Sequence, residues 1–183
     1  MAAPERANVV YYFDVGVGRW RGSFRLKITS WRAFFRDPIG PKYRFLTLWL
    51  VATLDLFGPA PIVSRLGGDP GAGEAGTVAN SVRITRFGIP VYALDEHYVL
   101  DPDGRGVHVV ANERFGPIPF LFRDHKEHSA KIEDGGMRAV YDLPLLGTRW
   151  VATYRVRPDR EHIDSTLVCG WAEAHETIHK VAS

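Results

Sequence analysis

The amino-acid sequence predicts a mainly β protein, an antiparallel closed β-barrel with two helices inserted after the first long strand. The first observation is a series of segments rich in β-branched and aromatic residues, at 77–87, 90–100, 106–115, 127–133, 137–143, 150–157 and 162–171. The second is the turn chemistry between them, at Phe87-Gly88, residues 101–104, Gly116-Pro117, residues 134–136, Leu146-Gly147 and Pro158-Asp159. Such regular punctuation marks sequential antiparallel strands, and closure is the simplest way for many of them to lose their edges. The third is a pair of helix-patterned segments lying together between residues 30 and 57.

Taken in chain order, residues 1–8 lack the apolar run of a signal peptide and read as a disordered tail. Residues 9–183 then form a single domain. The run 9–13 is apolar and β-prone, and Gly16, Gly18 and Gly22 punctuate a turn before residues 23–28, which alternate apolar and basic side chains as a half-buried strand does. Ser30 is placed to cap a short helix carrying Trp31, Phe34 and Phe35, stopped by Pro38 and Gly40. Residues 42–57 form a second helix, apolar on nearly every side and ended by Gly58, Pro59 and Pro61. It is shorter than the roughly 20 residues of a membrane span and is interrupted by Asp55, so it reads as a lid against the sheet and no transmembrane segment is expected. Residues 67–76 are too rich in glycine to pack and are expected as a mobile, exposed loop. The end, 171–182, suits either a helix or a continued strand.

Composition narrows the function. The chain is 45% apolar, 12% aromatic and 24% charged, that of a globular domain with ample core material. Basic residues exceed acidic ones by only two and are scattered, so nucleic acid is not an expected partner. Cys169 is the only cysteine, which excludes an internal disulfide and fits a cytoplasmic location. A homodimer is left open.

Gly18-Arg19-Trp20, just before the first long strand, resembles the Gly-x-Trp signature of the lipocalin and calycin barrels. The resemblance implies a tryptophan packed at the closed end of the barrel beneath a basic residue from a late strand, for which Arg155, Arg157 and Lys180 stand available. It also implies a small apolar molecule held inside. The chain departs from that pattern in placing a helical pair directly after the first strand. The rival architecture, a curved sheet gripping a long helix as in lipid-transfer domains of the START type, requires a long C-terminal helix.

Two motifs compete with this frame. His175-Glu176-Thr177-Ile178-His179 spells H-E-x-x-H, which on a helix brings two imidazoles about 5–6 Å apart for one zinc ion. On a strand the same pair lies about 13 Å apart, so secondary structure decides the motif. Gly16, Gly18 and Gly22 imitate a dinucleotide fingerprint, but a strand rather than a helix follows them. No Gly-x-Ser-x-Gly elbow is present, and Cys169 reads as a buried thiol.

The polar residues on core strands carry more information, because a purely structural interior would be filled with Val, Ile and Leu. Glu96, Tyr98 and His108 are the candidate acid-base groups; Trp20, Trp49, Tyr92, Leu94, Asn112, Tyr154, Trp171 and Glu173 are the candidate ligand contacts. His125 and His128 lie in a charged segment and are expected to face solvent. No metal ligand set and no cofactor enter this reading. The expected function is binding of a largely apolar small molecule, with cofactor-free cyclase, isomerase or lyase chemistry by acid-base groups. A non-catalytic carrier or sensor is the alternative, and a zinc hydrolase using His175, Glu176 and His179 the third reading.

Overall fold

A computed structural model describes residues 9–37, 41–69, 77–101, 106–116, 122–133, 136–143 and 148–182. The expected tail at 1–8 lies outside them, as do residues 70–76 of the glycine-rich segment. Helix α1 (Val9–Gly16) leads into β1 (Gly18–Ile28), which is followed by α2 (Trp31–Arg36), α3 (Pro41–Val51) and a π-helical turn at Ala52–Leu56. The remaining strands are β2 (Ala60–Asp69), β3 (Thr77–Arg86), β4 (Ile89–Leu100), β5 (Gly106–Phe115), β6 (Phe122–Glu133), β7 (Gly136–Leu143), β8 (Thr148–Val156), β9 (His162–Val168) and β10 (Ala172–Val181). Each pairs antiparallel with its sequence neighbour, and β1 pairs with β10 to close a ten-stranded barrel.

Two expectations are corrected. Residues 9–13 are helical rather than extended, because α1 docks Tyr12 and Phe13 into the barrel end, where Phe13 meets the Tyr98 ring at 4.7 Å. Packing overrides the β propensity of this run. Gly67 and Gly68 belong to β2 and pair with Ala79 and Val78, so the glycine-rich segment begins as a strand. Of the two forms open to the C-terminal segment it takes the strand, β10, separated from β9 by a turn at residues 169–171.

Two glycines are required by the backbone. At Gly22 a Cβ would stand 1.9 Å from the Thr177 carbonyl oxygen, so β1 and β10 approach too closely there for a side chain. Phe87 and Gly88 both take positive φ, 52° and 77°, the two-residue arrangement whose twist matches a hairpin; it joins β3 to β4.

The barrel has a floor and a lid. At the floor, the Trp20 indole N–H donates to the Gly16 carbonyl at 2.7 Å. The Lys180 ammonium lies 5.6 Å from the centre of the Trp20 ring and donates to the Val15 carbonyl at 3.0 Å. Of the three basic residues considered, Lys180 therefore occupies the place beside the tryptophan. At the opposite end Ser30 caps α2 by accepting from the Ala33 N–H at 3.1 Å, and the Trp171 carbonyl receives the N–H groups of Thr29 and Ser30. Phe34 of α2 meets the Trp171 ring edge-on at 5.0 Å. Buried Arg86 of β3 fixes the far end of the lid, donating to the carbonyls of Thr53, Phe57, Gly58 and Pro59 at 3.0, 3.2, 2.5 and 3.1 Å. Among the described residues no helix is long and apolar enough to cross a membrane.

Candidate functional site

Strand alternation sends every second side chain inward. On β4 the inward set is Tyr92, Leu94, Glu96 and Tyr98; on β5 it includes Glu113 and Phe115; on β10 it includes Ala174, Glu176 and Ile178. These side chains enclose a cavity of about 180 Å³. That is somewhat more than the roughly 150 Å³ known to admit benzene.

The lining has two unlike halves. Its lid half is aromatic and apolar apart from the indole N–H groups of Trp150 and Trp171, which are buried without an acceptor; Leu26, Leu54, Ile84 and Phe115 complete it, and the two indoles meet edge-to-face at 5.8 Å. Its polar half runs from Glu96 on β4 to Glu113 toward the lid end of β5. Ser64 donates to the Asn80 side-chain oxygen at 2.8 Å, and the Asn80 amide donates to Glu96 Oε2 at 3.0 Å. The Tyr98 hydroxyl donates to the same carboxylate oxygen. One strand over, Glu113 Oε1 accepts from Lys126 Nζ at 2.5 Å and from the Tyr92 hydroxyl at 3.0 Å. This ion pair is removed from water, with side chains 2% and 5% exposed for Glu113 and Lys126. Glu113 Oε2 is buried without a hydrogen-bond partner.

Across the cavity Glu176 is bonded to Ser165 on β9. Burial within the barrel pushes its carboxyl up to about 7, and the charge of Glu96 pushes the same way against the Ser165 hydrogen bond. Part of its surface is open, but to the cavity rather than to bulk water. Burial also raises Glu96, opposed by the Tyr98 hydrogen bond, the Lys126 charge and the Asn80 amide. Tyr12 and Tyr98 are held in the phenol form, first by burial and then by the nearby carboxylates. A carboxyl raised to near physiological pH is present in both forms, so it gives a proton in one and takes one in the other.

Of the candidates drawn from the sequence, Glu96, Tyr98, Trp20, Tyr92, Leu94, Tyr154 and Trp171 line the cavity together. The others do not. His108 points outward, half-exposed and 3.8 Å from Glu127, because it alternates with inward Val107 and Val109. Asn112 is exposed on the same outer face, 3.0 Å from His125 Nδ1. Glu173 lies outside against His175, because the turn at 169–171 resets the alternation that carries Leu167 and Trp171 inward. Trp49 packs on the core from α3 without lining the cavity. His128, expected in solvent, is half-buried on the inward face of β6, and burial with the charges of Lys126 and His108 lowers it to about 4.

The H-E-x-x-H string lies on β10, not on a helix, so its two histidines project from the outer face four strand positions apart while Glu176 turns inward. No group of three or more metal-ligating side chains occurs among the described residues. The zinc hydrolase reading is therefore replaced. Comparison with known protein families and with curated proteins finds no match for this chain.

The sequence reading missed Glu113, Lys126, Asn80 and Glu176 as cavity residues. Their signal was phase: Glu113 alternates with Val109, Ala111 and Phe115, and Glu176 with Ala172, Ala174 and Ile178, in rows that are otherwise apolar.

Proposed function

We propose that the barrel binds one small, largely apolar molecule with a polar end. Its body lies against the aromatic lid half and its polar end against Glu96, which Tyr98 and Asn80 hold in place. Glu176 then moves a proton on the bound molecule. The observation that carries this reading is the placement of Glu176 inside a mostly apolar cavity, facing Glu96 across the barrel, where burial pushes its carboxyl up to about 7. One group that removes a proton and returns it at another atom supports isomerisation or cyclisation without a cofactor, and the enclosure supplies the reactive conformer.

The test is native mass spectrometry of untagged protein for a retained small molecule, followed by chromatography of that molecule before and after incubation with fresh protein. The expected result is a one-to-one adduct and conversion to an isomer, with conversion lost in Glu176→Gln while the adduct persists. An adduct that is never converted would establish the carrier instead. Absence of any adduct, together with no saturable binding of toluene, a neutral molecule small enough for the cavity, would remove the binding reading altogether.

A further inference from the structure

The polar half of the cavity has a surplus of acceptors. Three carboxyl groups, Glu96, Glu113 and Glu176, line it against one cation, Lys126, and that cation is already engaged by Glu113 at 2.5 Å. Glu113 Oε2, on a side chain 2% exposed, has no donor, and Glu96 receives both its hydrogen bonds on Oε2 from Tyr98 and Asn80. Glu113 pairs with Leu94, so Glu96 lies diagonally beside it on the next strand, within reach of a single small group.

A carboxylic acid ligand would bring a further negative charge into this half. A ligand carrying N–H donors and a positive charge would satisfy it, since a buried charge is tolerated only when paired. We propose that the ligand of this cavity is a small lipophilic amine, its ammonium seated at Glu96 and its apolar body, about the size of one ring and a short arm, under Trp150 and Trp171. This rests on the binding reading above and names the polar end that reading leaves open. The electron-rich ring faces of the lid half also suit a cationic molecule, which aromatic faces attract.

Three isosteric probes test it: 3-phenylpropylamine, 3-phenylpropanol and 3-phenylpropionate, each titrated calorimetrically and by quenching of the cavity tryptophans at pH 7.5. The amine is expected to bind at least tenfold tighter than the alcohol, and the propionate weakest. In Glu96→Gln the amine should fall to the affinity that the alcohol has for the same variant, and saturable binding of toluene, which makes no polar contact, shows the cavity intact. Equal or tighter binding of the propionate, or an amine preference that survives in Glu96→Gln, would overturn the amine assignment and leave the binding reading standing. If none of the three binds and toluene does not saturate, the binding reading fails and this inference falls with it.

Discussion

Glu176 on β10 and Glu96 on β4 stand on opposite walls of the barrel, with β1, β2 and β3 between their strands, and the charge of Glu96 helps hold Glu176 protonated up to about pH 7. In an unfolded chain the same carboxyl would titrate at its ordinary value near 4.5.

That difference fixes a pH dependence. Between about 4.5 and 7 the folded protein keeps a proton on Glu176 that the unfolded chain has lost, so stability falls as pH rises through this window and levels off above it. The full cost is about 3 kcal/mol. Denaturant melts at pH 5, 6, 7 and 8 should show the decline in the wild type and a shallower one in Glu176→Gln, whose advantage grows with pH. A variant that parallels the wild type across the window would contradict the assignment.

The Glu113–Lys126 pair predicts asymmetric mutational costs. Lys126→Met strands a carboxylate in the interior with Tyr92 as its remaining donor, and should cost about 3–5 kcal/mol. Replacing both residues, as in Lys126→Met with Glu113→Leu, should recover much of that loss. Equilibrium unfolding of the two single variants and the double variant measures the coupling.

Gly22→Ala should destabilise the barrel by about 3 kcal/mol, because the new methyl meets backbone that cannot move without opening the β1–β10 seam. Gly67→Ala on β2, where nothing lies within 4 Å of the added carbon, is the control and should stay within about 0.5 kcal/mol of the wild type. Thermal melts of both variants test the contrast.

At the floor, Lys180→Ala removes both the cation beside Trp20 and the hydrogen bond to Val15. A loss of about 1–2 kcal/mol is expected. Faster proteolysis within α1 should accompany it, and mass spectrometry of the first cleavage products would locate the site.

The architecture was legible because turn residues and β-branched segments alternate so regularly through residues 77–168. The helical pair was legible from Ser30 and the apolar run that follows. Strand β2 was hidden by its own composition: Pro61 at its start and Gly67 and Gly68 near its end read as breakers, although a barrel tolerates them where strands begin or bend. Site residues were legible only where strand phase was. On β4 an unbroken strand placed Tyr92, Leu94, Glu96 and Tyr98 together, whereas on β5 the histidine and asparagine drew attention to the wrong face. Glu176 was concealed by the very motif that contains it, since the metal reading gives all three residues one side and a strand divides them.

Helix α1, Trp20 and Lys180 stop one end of the barrel, while Arg86 pins one side of the lid at the other. The interior is thus a cul-de-sac. On the proposed function, whatever is admitted leaves by the way it came, and once a molecule is seated the path behind it is blocked to a second. Traffic of that kind suits a transformation within one molecule and disfavours joining two.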